Sequence, residues 1–280
     1  MANSITDARN SFITFNEQLF LTQRECAIVK PFCLPVFNAS DIAFQFILNS
    51  TDSLSDINSR LRIRTKALDG IFTFVTGFTK EVVELSTGVY VVVIVLQDST
   101  LIDPYAVGEC FQINFGLSFE GEIFYNKTAV QCFQVVADTC FTSKLSYYNI
   151  EDAFGFIYGD IALKFNRIRL PIYFKNPQPQ NDQKVYVRSS GTRQKLYARL
   201  AKKWFGLIDM TTEEVHQKLV VALSHDFVTF ETDNGYNLEC TFEDEYNQDF
   251  PDNVMQGINV WTANFSVMET PFDEVNNNCG

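Results

Sequence analysis

The sequence predicts a mainly β chain with a minor α component, built as two β-rich, sandwich- or barrel-like domains of which the second carries one amphipathic helix. Three observations predict this. Short alternating apolar and polar runs recur along the chain with turn residues between them. Phe is over-used at 27 residues beside 11 Tyr, and aromatic side chains favour pleated, half-buried surfaces. Only the stretch 212–224 keeps an apolar stripe at helical spacing.

In the first part, Asp41 to Leu48 alternates apolar positions before a polar stretch, Asn49 to Asp56, that reads as a loop. Arg60-Leu61-Arg62-Ile63-Arg64 alternates strictly and puts three arginines on one face of a half-exposed strand. Ile71 to Val75 and Cys110 to Phe115 continue the pattern. Val89 to Leu96 is eight apolar residues, far short of the roughly 20 a membrane-spanning helix needs, and reads as a buried strand. Glu109-Cys110-Phe111-Gln112-Ile113 is echoed by Gln131-Cys132-Phe133-Gln134-Val135, and the domain boundary is expected just after it, giving domains 1–138 and 139–280.

In the second part, Cys140 to Tyr148 and Arg167 to Leu170 read as strands. Asn176 to Asp182 holds two prolines and reads as a loop. Lys184 to Ser189 and Arg193 to Leu200 form a strand pair about a Ser190-Gly191 turn. Thr211 and Glu214 have capping-box spacing, and Val215, Leu219, Ala222 and Leu223 then form the helical stripe. Asn234-Gly235 joins two further strands in the manner of a type I′ hairpin.

Charge is segregated late in the chain. From Lys184 to Lys203 there are seven basic residues (Lys184, Arg188, Arg193, Lys195, Arg199, Lys202, Lys203) and no carboxylate. From Asp209 onward there are fifteen carboxylates, Glu243, Asp244 and Glu245 among them, against Lys218 alone. This split suits contacts within or between copies of the chain. A single-stranded nucleic-acid groove with Tyr186, Tyr197 and Trp204 as stacking partners is the other reading, but the net charge of −12 would repel a polyanion.

Catalytic and metal signatures are weak. Ser224-His225-Asp226 has the letters of a triad, yet consecutive side chains diverge where a triad must converge. His225 is expected at the helix C-terminus in its charged form, and His216 on the surface. The run Glu239, Glu243, Asp244, Glu245, Asp249, Asp252 lacks EF-hand spacing. No cofactor or metal is expected. Seven cysteines show no zinc-ligand spacing; a Cys132–Cys140 bridge is open, with buried free thiols the alternative. The N-terminus carries no signal-peptide pattern, so synthesis in a reducing compartment is expected.

Tyr147-Tyr148-Asn149, Asn166 to Pro171, Lys184 to Gly191 and Leu223 to Asp226, with Leu34 to Phe37, Asp41 to Phe46, Thr270 to Phe272 and Asn276 to Cys279, are the segments that carry a resemblance. Together they resemble uncharacterised proteins of tailed bacteriophages and prophages of gut and marine Bacteroidetes. The resemblance implies a non-enzymatic virion protein of the tail (ring, adaptor or baseplate/distal-tail component), made in the host cytoplasm. Its partners would be itself, as a homo-oligomeric ring, and other virion proteins. Two alternatives are a carbohydrate- or receptor-binding module using Trp204 and Trp261, and a glycan-cleaving enzyme. The last needs two carboxyl groups about 5–9.5 Å apart across a cleft.

Overall fold

A computed structural model describes residues 3–7, 11–13, 15–16, 33–36, 41–67, 70–97, 104–119, 122–136, 142–232, 235–249, 260–270 and 273–276. The strands are β1 (Ser4–Asp7), β2 (Phe15–Asn16), β3 (Leu34–Val36), β4 (Ile42–Asn49), β5 (Leu61–Ala67), β6 (Phe72–Phe74), β7 (Phe78–Ser86), β8 (Val89–Leu96), β9 (Cys110–Phe119) and β10 (Glu122–Val135). They continue with β11 (Ser143–Tyr148), β12 (Asn166–Leu170), β13 (Ile172–Phe174), β14 (Gln178–Val187), β15 (Arg193–Thr212), β16 (Phe227–Thr232), β17 (Asn237–Asp249), β18 (Val260–Glu269) and β19 (Asp273–Asn276). The two helices among the described residues are α1 (Leu54–Arg60) and α2 (Glu213–Leu223). Neither is long and apolar enough to cross a membrane.

The strands form two sheets in a sandwich-like arrangement, and neither closes into a barrel. The large sheet runs β13-β15-β18-β17-β16-β11-β12-β4-β8-β7, with β1 on β4 and with β14 and β19 on β15. The small sheet runs β2-β10-β9-β5-β6, with β3 on β10. Residues on either side of position 138 share the large sheet, where β12 pairs with β4 at Arg167 and Ala43, and they share one apolar core.

The sheets meet through aromatic rings. Phe44 and Phe46 point to the same side of β4 because strand side chains alternate. Phe46 meets Phe115 of β9 edge-to-face with ring centres 4.7 Å apart, and Phe15 of β2 packs 5.5 Å from Phe46. The opposite face of β4 and β8 is also covered. Val91 and Val93 lie under Ile161, Ile157 and Leu163, and that segment is pinned by Gln45, which accepts from the Ile157 N–H. Glu81 accepts from the Ala162 and Leu163 N–H groups. Burial on both faces is why Val89 to Leu96 is apolar throughout rather than alternating.

Several expectations hold in detail. Leu61 and Ile63 are buried while Arg62 and Arg64 are half-buried on the other face, but the third arginine, Arg60, ends helix α1 and is not on the strand. The echoed pentapeptides are neighbouring strands, with Phe111 opposite Phe133 and Gln112 opposite Cys132. The stripe of α2 is inward, with Leu219, Ala222 and Leu223 buried and Val215 packed against the core.

Other expectations are corrected. The polar stretch after Asn49 is no loop throughout: α1 starts there, with the Ser53 side chain accepting from the Asp56 N–H and only Ile57 buried. Residues 178–182 belong to β14 rather than to a loop. Pro179 is tolerated because, among the described residues, β14 is an edge strand that pairs with β15 alone. The N-cap of α2 is Thr212, with no side-chain cap bond; Thr211 is buried and its hydroxyl lies 3.0 Å from His216 Nε2. Cys132 is bridged to Cys33, with Cα atoms 4.6 Å apart, because parallel pairing of Leu34 with Phe133 sets the two cysteines side by side. Cys140 lies outside the described residues. Cys240 fits the buried-thiol reading, and burial pushes its pKa up to about 12. The β16–β17 hairpin is present, with Gly235 at φ 78°, while Asp233 and Asn234 lie outside the described residues.

Gly206 faces Phe265 across the β15–β18 pair, and a Cβ at this position would collide with that ring. The ring is held by Phe174 and Phe230, so it cannot retreat freely. Gly206→Ala is expected to destabilise the fold by about 1–3 kcal/mol. The check is the denaturant midpoint, and Gly206→Ala with Phe265→Leu should recover part of the loss.

Candidate assembly surface

The basic segment forms a β-ribbon. β15 bonds β18 only from Lys203 to Thr212; before Lys203 it continues with β14 on one side and, at Tyr197 to Leu200, β19 on the other. The turn closes with the Gly191 N–H donating to the Arg188 carbonyl and the Arg188 N–H to that of Thr192. Gly191 sits at φ 81°, which favours glycine. Near the tip Val185, Tyr186 and Val187 are 44%, 54% and 56% exposed, and Arg188 and Arg193 are exposed beside them. Lys184, Lys195 and Arg199 lie on the ribbon strands, with side chains outside the described residues; register sets Arg199 opposite Glu274.

At its base the ribbon meets the acidic segment of the same chain. A register shift in β17 between Phe242 and Tyr246 accommodates Glu243, Asp244 and Glu245. Lys203 Nζ lies 3.0 Å from Glu245 and 3.5 Å from Glu243. Its bond to Glu245 raises the Lys203 pKa, and that bond together with the Ser266 hydroxyl holds the Glu245 carboxyl below its ordinary value. Lys202 lies 3.5 Å from Glu269, which also accepts from the Trp204 indole N–H. The Asp244 side chain is outside the described residues. Among the described residues no three ligating side chains converge as a metal site.

The histidines depart from expectation. His216 is fully buried instead of exposed. Its Nε2–H donates to the Trp261 carbonyl at 2.9 Å, which leaves Nδ1 to accept from the Tyr246 hydroxyl at 2.6 Å. His225 does lie at the α2 C-terminus, and its Nδ1–H donates to the Val221 carbonyl at 2.9 Å. Its ring is walled by Tyr147, Phe154, Phe156 and Tyr158, and its Nε2 has no hydrogen-bond partner among the described residues. Burial therefore outweighs the helix dipole, lowers the pKa of both histidines and keeps them neutral.

The sign of the pH effect follows. Both groups titrate near 6.5 when exposed and lower in the fold, so the unfolded chain binds protons first as pH falls. Their contribution is complete above about 6.5, declines below it and levels off once the folded groups protonate. Urea midpoints are expected to fall between pH 7.5 and 5.5, and His216→Gln with His225→Phe should flatten that fall.

An aromatic row that sequence reasoning missed lies on the outer face of the large sheet. Phe165, Tyr148 and Phe227 come from the ends of three adjacent strands, β12, β11 and β16. Tyr148 meets Phe165 edge-to-face at 4.8 Å and stacks on Phe227 at 4.5 Å, with 8° between the planes. The visible signal was a partner for each ring at the end of an alternating strand, but strand order was not. In the adjoining loop Phe154 has φ 54° and Gly155 φ 87°, and the chain reverses between paired Ala153 and Phe156. A bulky residue at positive φ is strained, and Phe154 remains 42% exposed. Trp204 and Trp261 are both buried, so neither forms a sugar platform.

No protein-family model matches the chain, and no curated protein matches it significantly.

Proposed function

We propose that the chain is a structural virion protein of a phage tail, acting by homo-oligomeric assembly as a ring, adaptor or baseplate/distal-tail component. The observation that carries the assembly reading is the ribbon. From Lys203 to Arg193 it runs ten residues beyond the β15–β18 pairing, roughly 33 Å of extended strand. β19 adds a third strand at Tyr197 to Leu200, so among the described residues the tip from Arg193 to Leu196 is only two-stranded, and a two-stranded end is marginal in water unless something covers it. Its exposed Tyr186, Arg188 and Arg193 are of residue types enriched in protein contacts, and exposed Val185 and Val187 flank the tyrosine. The phage assignment rests on the sequence resemblance, and the buried tryptophans weaken the carbohydrate-binding alternative.

Native mass spectrometry and negative-stain imaging of the purified protein test this reading. A closed ring is expected, loosening as salt rises because exposed charge contacts are screened. A monomer at every concentration would overturn the proposal.

A further inference from the structure

We propose that the aromatic row Phe165–Tyr148–Phe227 is the docking site for the cationic ribbon tip of a second copy of this chain. The inference rests on the assembly reading above and names the contact that would carry it.

The row is exposed where a sheet face would otherwise be polar: Phe165 and Phe227 are each 41% accessible. Tyr148 stacks on Phe227 and meets Phe165 edge-to-face, so the three rings form one contiguous strip. Exposed contiguous aromatic side chains of this kind are enriched at protein contacts.

Charge selects which protein. Glu151, Asp152, Asp160 and Asp226, all exposed, lie in the segments joining these strand ends. The positive groups nearby are Lys164 and Arg167, and Arg167 is already paired with Asp41. The surround is net negative. The ribbon tip is the complement, with Val185, Tyr186 and Val187 exposed and Arg188 and Arg193 beside them. Lower on the ribbon the cations meet carboxylates of their own chain: Lys202 and Lys203 meet Glu243, Glu245 and Glu269 at the base, and Arg199 stands between Asp182 and Glu274 by register.

Register sets the direction. Val228 faces Cys240, Thr241 faces Met268, and Met268 faces Lys203, so the Tyr148–Phe227 end of the sheet is level with the ribbon's base. From that level β15 runs toward the opposite end, where Ser143 pairs with Thr232, and beyond it. The tip thus points away from the row of its own subunit. A contact between tip and row joins different copies head to tail, the heterologous geometry that closes into rings or extends into filaments.

Two reversed variants test the pairing: Arg188→Glu with Arg193→Glu on the ribbon, and Glu151→Lys with Asp226→Lys beside the row. All four side chains are exposed, so unchanged circular dichroism and thermal midpoints should accompany each variant. Each alone is expected to weaken self-association about tenfold or more by sedimentation, and Phe165→Ser with Phe227→Ser by at least as much. Mixing the two reversed variants should restore assembly, since each then offers the charge the other requires. If the wild type assembles and the variants do so equally well, this contact is wrong and the assembly reading stands. If the variants dissociate but the mixture does not reassemble, the tip and the row are not each other's partners. A wild type that stays monomeric overturns both readings.

Discussion

Phe46→Ala is expected to lower the unfolding free energy by about 3–5 kcal/mol, the range for removing a large buried aromatic. Phe46 is 1% exposed and sits on β4, which bonds β8 on one side and β1 and β12 on the other. Its ring spans the gap between the sheets, meeting Phe115 at 4.7 Å and Phe15 at 5.5 Å and neighbouring Phe44 on its own strand. Truncation would remove contacts from both sheets at once, and neighbours held by two hydrogen-bonded sheets can collapse little into the gap. Urea titration measures it, with an unchanged slope showing that only stability moved. Phe74→Ala is the control: that ring is 52% exposed on the edge strand β6 and should change stability by no more than about 0.5 kcal/mol. Equal effects at the two positions would show that the sheets do not face each other across Phe46.

What was legible in the sequence was local. Alternation located β4, β5, β9 and β12, an unbroken apolar run located β8, and turn chemistry located the hairpins around Gly191 and Gly235. What stayed hidden depended on strand order. Cys33 and Cys132 are 99 residues apart and adjoin only because β3 lies parallel to β10. Phe165, Tyr148 and Phe227 form a row only because β12, β11 and β16 are neighbours. The histidines were misread for a related reason. Their neighbours in sequence are polar or mixed, and the Trp261, Tyr246 and Tyr147 groups that bury them come from distant strands. Of the candidate surface, the basic run was visible as charge. That the run stands as a ribbon, with its base neutralised by Glu243, Glu245 and Glu269 and its tip exposed, follows from the register of β14, β15 and β17.

Leu219→Ala is expected to cost about 2–5 kcal/mol. At eleven residues α2 is too short to hold itself in water, so packing must supply its stability. It lacks a side-chain cap bond at Thr212, which places still more weight on its inner face. That face lies against β11, β15, β17 and β18, and Leu219 is wholly buried between His216 and Leu223. Removing its three terminal carbons would open a cavity beside the His216 ring, whose bonds to Trp261 and Tyr246 tie the helix to β18 and β17. The loss should therefore exceed that of Gln217→Ala, an exposed position on the same helix that should stay within about 0.5 kcal/mol. Hydrogen exchange separates two ways of losing stability. If α2 is integral to the large sheet, its amides should exchange with those of β11 and β18 in both wild type and variant. A helix whose amides exchange early in the variant, with the sheet still protected, would instead be a separately melting layer, and the measured loss would then fall below about 0.5 kcal/mol in global unfolding.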